Sequence, residues 1–167
     1  MISYIITILC GALVLGFDQL TKYYISTNYS LYQSSDFIKG LVNIVYIHNP
    51  GAAWGIFSGQ RWILVCFSII AVVFCGYCFA KYGRQSKLML LGLVLVVSGG
   101  VGNLIDRIFR EGKVIDFLHF EFWPQFPVFN VADCAIVIGV GLLILYFVID
   151  TVKEVKAKRS GKGQNNA

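Results

Sequence analysis

Residues 99–133 read GGVGNLIDRIFREGKVIDFLHFEFWPQFPVFNVAD, and three of the chain's six aspartates, Asp106, Asp116 and Asp133, fall inside this stretch. Each sits beside strongly apolar sequence, where an ionised carboxylate is expensive to keep unless partners or chemistry hold it there. The stretch begins near the end of one long apolar run and closes at the start of another. Working outward, residues 2–17, 62–79, 88–105 and 131–149 form four apolar segments, each about the 17–25 residues needed to cross a bilayer. The first is the shortest, and it continues helically through Asp18 to about Ile25. Composition agrees: 57% of residues are hydrophobic, 14% are charged and the mean hydropathy is +0.70, against about 25% charged in soluble domains. The expected fold is therefore an all-α integral membrane protein of four transmembrane helices. It forms one domain over residues 1–155, followed by a basic tail, 156–167, that its composition leaves disordered.

Four crossings place both termini on one side. Lys81, Arg84, Lys87, Lys153, Lys156, Lys158, Arg159 and Lys162 lie on that side, against Lys22, Lys39, Arg61, Arg107, Arg110 and Lys113 on the other, so both termini are expected to be cytoplasmic. The net charge of +5 reads as this topology signal. No basic patch coincides with a nucleic-acid motif, which excludes a nucleic-acid partner. No Lys or Arg precedes the first apolar run, and Asp18-Gln19 stands where a cleavage site needs small residues, so this run is expected to be a retained helix rather than a signal peptide. Cys10, Cys66, Cys75, Cys78 and Cys134 all fall in apolar runs and are odd in number, which argues against a disulfide framework.

The first outer loop, about 26–61, contains the alternating run Leu41–Ile47, which suggests a strand or two at the membrane surface. The second, 107–130, has aromatics and two prolines and suits an extended interfacial segment. By this topology Asp18, Asp106, Asp116 and Asp133 gather at the outer end, and only Asp150 lies at the inner end.

Several constellations stand out, each beside a plainer reading. Asp18 and Lys22 are one helical turn apart and can pair, or Lys22 snorkels to the interface from an ordinary ion pair. Asn103, Asp106 and Arg107 share a helix face, where an Asp-Arg pair beside an amide can orient other polar groups. A helix-packing motif with a topology-setting Arg107 explains Gly99, Gly100 and Gly102 but not Asn103. Asn130 and Asp133 have the spacing of a helix cap and its reciprocal partner, with the helix dipole favouring Asp133 as an anion. Asp116, between Ile115 and Phe117, has no such structural account.

Two carboxylates at a membrane surface suggest aspartyl-protease chemistry: the ionised acid takes a proton from water while the protonated one polarises the scissile carbonyl. Such a dyad requires no metal, thiol or cofactor. Spacing alone leaves open whether Asp116 and Asp133 meet. The turn Asn49–Gly55 is either a loop-to-helix junction or a place where a substrate backbone approaches closely, with Asn49 as a polar contact. Cys75-Gly76-Tyr77-Cys78 imitates a redox motif but reads as small polarizable residues in a helix. His48 and His119 make no metal-ligand pattern. Two competing functions follow from these features: a membrane thiol oxidoreductase using the two cysteines, and a transporter or channel subunit with Asp18, Asp106 and Asp116 as an ion path.

Taken in order, DQLTK at 18–22, NPGAAWG at 49–55, GGVGNLIDR at 99–107, VIDF at 114–117 and FNVAD at 129–133 resemble the signature blocks of lipoprotein signal peptidase, the signal peptidase II family. The resemblance implies an aspartyl endopeptidase of the bacterial cytoplasmic membrane. It would cleave diacylglyceryl-modified prolipoproteins just before the lipidated lipobox cysteine. Asp116 and Asp133 would be the catalytic dyad, with Asp18, Lys22, Asn49, Gly51, Asn103, Asp106, Arg107, Asn130 and Ala132 in supporting positions. Also implied are a small extracytoplasmic β-sheet cradle formed largely by the first outer loop, an active site at the outer leaflet, a monomer working among membrane lipids without a cofactor, and sensitivity to globomycin-type cyclic peptides. Two departures stand out: IFREGK at 108–113 carries more charge than the family pattern, and Trp54 stands where Phe is also common. Leu9 before Cys10 is too large for a lipobox, so the chain is not its own substrate.

Overall fold

The computed structural model describes residues 2–83 and 86–164; Arg84 of the inner loop and the last three residues of the tail lie outside the described residues. The order of elements is α1 (Ile2–Asn28), β1 (Ser34–Ile38), β2 (Val42–Asn49), a 3₁₀ turn at Ala53–Gly55, α2 (Arg61–Tyr82), α3 (Lys87–Phe109), β3 (Val114–Phe120) and α4 (Val131–Gln164). All four apolar segments are helical and long enough to cross a membrane. In hydrocarbon only intrahelical hydrogen bonds can satisfy the backbone of a lone segment. Helix α1 runs past Ile25 to Asn28, and α4 continues beyond Val155 to Gln164.

Helix α3 is the centre of the bundle, and α1, α2 and α4 all pack on it. Half of its apolar window is buried inside the protein, against 11–17% for the other three. Small residues make this close packing possible. A side-chain carbon on Gly99 would collide with the Ala132 carbonyl oxygen of α4, and one on Gly102 would come within 2.6 Å of Asp18 Oδ2 on α1. The glycines before Asn103 are thus the junction where three helices meet.

Strands β1, β2 and β3 form one antiparallel sheet in that order. Two strands come from the 26–61 loop, as the alternating run suggests. The third is a finding beyond that reading, since the segment after Val114 pairs with β2 rather than lying merely extended. Its sequence hides it: β3 is buried on both faces through Val114, Ile115, Asp116 and Phe117, so it lacks the period-two signal of a half-exposed strand. Ile25, Ile44, Tyr46, Ile115 and Phe117 form the core between α1 and the sheet.

Candidate active site

Two backbone devices bring Asp116 and Asp133 together. In β3, Asp116 stands opposite Ile47 of β2, so Asn49, two residues further on, is its diagonal neighbour on the same face. Asn49 Nδ2 donates to Asp116 Oδ2 at 2.8 Å. Phe129 is then clipped to the other side of β3, its N–H donating to the Leu118 carbonyl at 2.9 Å and its carbonyl accepting from Leu118 N–H at 2.8 Å. The next residue, Asn130, is thereby set beside Asp116 and starts α4.

Asn130 joins the two acids. Its Nδ2 donates to Asp116 Oδ1 at 2.6 Å, and its backbone N–H donates to Asp133 Oδ2 at 3.1 Å. Asp133 N–H returns a bond to Asn130 Oδ1 at 2.9 Å, completing the reciprocal cap expected from the spacing. Asn103 Nδ2 donates to Asp133 Oδ1 at 2.7 Å. All four carboxylate oxygens of the pair therefore accept an N–H.

The two acids differ in exposure. Asp116 is 2% exposed while Asp133 is half-buried. Burial and the neighbouring Asp133 charge push the Asp116 carboxyl up to about 7, against the downward pull of the Asn49 and Asn130 hydrogen bonds. Asp116 thus keeps its proton more readily than an ordinary carboxyl, as a pair of like charges at close quarters requires of one member.

Behind the pair lies a second acid cluster. Lys22 Nζ sits 2.9 Å from Asp18 Oδ2, 3.1 Å from Asp106 Oδ2 and 2.9 Å from Asn103 Oδ1. Lys22, Asp18 and Asp106 are all fully buried. The snorkelling reading of Lys22 is therefore overturned: a lysine with two carboxylates inside the bundle has no need to reach water. The expected Asp-Arg pair is also corrected. Asp106 bonds Lys22 and Arg110 and receives the Ile115 N–H at 3.1 Å, while Arg107 turns the other way and donates through Nη2 to the Gly51 carbonyl at 3.3 Å. Successive residues on a helix diverge by about 100°, so Asp106 and Arg107 address different neighbours. Asp18 Oδ1 also accepts Ala132 N–H at 2.9 Å. This ties Ala132, fully buried, to α1.

The acids open on a cavity of about 440 Å³ lined by Asn49, Gly51, Trp54, Asn103, Arg107, Asp116 and Asp133 on its polar side and by Phe126, Pro127, Val128, Ile136 and Val137 on its apolar side. Motif reasoning does not single out these apolar residues: Phe126, Pro127 and Val128 precede the bridge at Phe129, and Ile136 and Val137 stand on the first turns of α4. Gln19 is also absent from that reading, yet its Nε2 lies 3.0 Å from Asp18 Oδ2 and 3.2 Å from the Gly102 carbonyl. Among the described residues no group of three or more His, Cys, Asp or Glu forms a metal site. Tyr46 hydroxyl and His48 Nε2 bond each other at 2.7 Å. Cys75 and Cys78 are free and lie in the last third of α2, at the end of the bundle opposite the acids.

A family profile described as Signal peptidase (SPase) II matches residues 10–149, a span that includes every residue of the cavity. The chain is 39% identical over 137 residues to the lipoprotein signal peptidase of Bacillus pumilus (strain SAFR-032), covering 81% of this chain and 88% of that protein. It is 35% identical over 162 residues to the lipoprotein signal peptidase of Enterococcus faecalis (strain ATCC 700802 / V583), covering 97% of each. A solved bacterial membrane enzyme matches with a TM-score of 0.82 at 37% identity, over 87% of this chain and 88% of its own.

Proposed function

The chain belongs to the signal peptidase II family, a multi-pass membrane protease that removes signal peptides from prolipoproteins, and from this premise we propose that it does so by an aspartyl mechanism with Asp116 and Asp133 as the dyad. The observation that carries the reading is the single asparagine, Asn130, bonded from behind to both carboxylates, which themselves line a cavity of about 440 Å³.

The chemistry follows from the donors. Ionised Asp133 takes a proton from a water held between the acids, and protonated Asp116 donates a hydrogen bond to the scissile carbonyl oxygen. As the hydroxide equivalent attacks the carbonyl carbon, Asp116 passes its proton to the carbonyl oxygen, giving a neutral tetrahedral gem-diol and leaving Asp116 ionised. The proton on Asp133 then passes to the amide nitrogen, the carbon–nitrogen bond breaks as one gem-diol hydroxyl returns its proton to Asp116, and the pair is left as it began, Asp133 ionised and Asp116 protonated. Asp18, Lys22, Asn49, Gly51, Asn103, Asp106, Arg107, Asn130 and Ala132 hold this geometry and are not themselves consumed. No resident cofactor enters the scheme.

Substrate and place follow from the same reading. The bond cut is the one before the lipidated cysteine of a diacylglyceryl-modified prolipoprotein, the apolar wall at Phe126–Val128 and Ile136–Val137 receiving apolar parts of the substrate. The acid end of the bundle faces the outer leaflet of the bacterial cytoplasmic membrane, with the three-stranded sheet outside, both termini cytoplasmic and the peptidase domain contained in residues 1–155. The enzyme works as a monomer and is blocked by globomycin. The gathering of Asp18, Asp106, Asp116 and Asp133 at one end, with Asp150 alone at the other, speaks against an ion path through the membrane.

The test is incubation of the purified protein with a diacylglyceryl-modified prolipoprotein, with and without globomycin. Cleavage that globomycin stops is expected; absence of cleavage, or unimpaired cleavage by Asp116→Asn or Asp133→Asn, overturns the reading.

A further inference from the structure

Three asparagines ring the acids, and each has its amide oxygen claimed by a fixed donor. Gly51 N–H donates to Asn49 Oδ1 at 2.9 Å, Asp133 N–H donates to Asn130 Oδ1 at 2.9 Å, and the Lys22 ammonium donates to Asn103 Oδ1 at 2.9 Å. Asn103 Oδ1 also takes Asn130 Nδ2 at 3.1 Å. An amide so placed cannot turn over without setting its own NH₂ against a donor. Two of these locks are backbone groups. The third is a side-chain charge delivered from another helix. An ammonium group has three hydrogens and no acceptor, and Lys22 has three acceptors, Asp18, Asp106 and Asn103, so its third hydrogen goes to the amide.

We propose that Lys22 is a positioning residue for the dyad that acts through Asn103, its ammonium group locking the amide so that Nδ2 is held on Asp133 Oδ1 and Asp133 is fixed as the ionised member of the pair. This inference rests on the aspartyl reading above and deepens it. The donors run one way, from Lys22 to Asn103 to Asp133. With the Asn130 N–H on its other oxygen, Asp133 meets donors on both sides, the arrangement that favours a carboxylate over an acid. Asp116 also meets two amides, but no cation stands directly behind either one: Asn49 is locked by Gly51 and Asn130 by Asp133. The charged groups acting on Asp133 are Asp116 from β3, Lys22 and Asp18 from α1, and Arg107 from α3. Removing Lys22 changes the field as well as the lock, and the experiment must separate the two.

The pH dependence of kcat/KM, measured on the purified full-length chain with a diacylglyceryl-modified prolipoprotein, makes that separation. The variants are Lys22→Met, Asn103→Ala and the two combined. Lys22→Met leaves Asp18 and Asp106 facing each other, so Lys22→Met/Asp106→Asn is carried alongside to preserve the net charge of the cluster and with it the fold. The acid limb of the profile is expected to move up by about one pH unit in Lys22→Met or its charge-balanced form, a loss of about tenfold on the acid side. Asn103→Ala should move it likewise, and adding Lys22→Met to Asn103→Ala should add less than Lys22→Met gives by itself, the remainder being the direct field of the ammonium group on Asp133. An acid limb that stays in place in both Lys22 variants overturns the proposal. So does a second, additive shift in the Asn103→Ala background, which would mean that Lys22 acts by its field alone. Asp116→Asn and Asp133→Asn are run in the same assay. Full cleavage by either one overturns the dyad together with this inference, whereas inert aspartate variants beside an unmoved Lys22 profile overturn only the role of Lys22.

Discussion

Asp18 on α1 accepts the backbone N–H of Ala132 on α4 at 2.9 Å, across 114 residues of chain. The second amide of a helix has no partner within its own helix, so an acid from the first helix completes the last one. The same carboxylate bonds Lys22 through its other oxygen. One side chain thus sets where α4 begins and therefore where Asp133 stands. Asp18→Ala should destabilise the protein by about 3–5 kcal/mol, because it leaves Lys22 short of a partner in a fully buried site. Unfolding in detergent micelles measures this, and an unchanged transition would contradict it.

Replacing either acid of the pair with its amide tests the chemistry without changing shape. Asp116→Asn and Asp133→Asn should each lower prolipoprotein cleavage by about 10³-fold or more, while the protein still inserts in the membrane at normal levels. Gel separation of precursor and mature lipoprotein reads the first, and membrane fractionation reads the second.

The raised Asp116 carboxyl gives a pH dependence with a definite sign. In the proposed mechanism the neutral form is the active one, so activity is retained below about 7 and lost above it. Cleavage is expected to decline about tenfold per pH unit on the alkaline side, with an apparent midpoint that belongs to the pair. Asn49→Ala removes a hydrogen bond that favours the ionised form, so it should carry this alkaline limb upward. A downward move would refute the assignment of Asn49 as a donor to the carboxylate.

Gly102→Ala places a carbon against Asp18 Oδ2 and near the Ala132 side chain. Neither neighbour is free to give way, since Asp18 is held by Lys22 and by the α4 backbone. The expected cost is about 1–3 kcal/mol of stability together with a loss of cleavage larger than that of Gly76→Ala, a change on α2 where a side-chain carbon meets nothing within 4 Å. Equal behaviour of the two variants would remove the steric argument.

Much of this was legible in the residues. Hydropathy alone marks the four helices, because each must be apolar along most of its length. The cap at Asn130 and Asp133 and the pair at Asp18 and Lys22 are visible because they are local, joined within one turn of helix. What stays hidden is non-local. The Asp106 carboxylate reaches the Ile115 N–H beyond the end of its own helix, and Arg107 reaches the Gly51 carbonyl 56 residues away. No spacing rule announces either. Strand β3 escapes for a different reason: burial on both faces erases the alternation by which strands are recognised.

The clip between Leu118 and Phe129 has one more consequence. Residues 121–128 leave β3 after Phe120, and Phe129 returns to it beside Leu118, so they form a loop closed near its neck. Phe126, Pro127 and Val128 line the cavity from within this loop, whereas Asp116 and Asn130 are anchored outside it. This part of the cavity wall and the two acids are thus carried by separate stretches of chain, one within the closed loop and the other outside it.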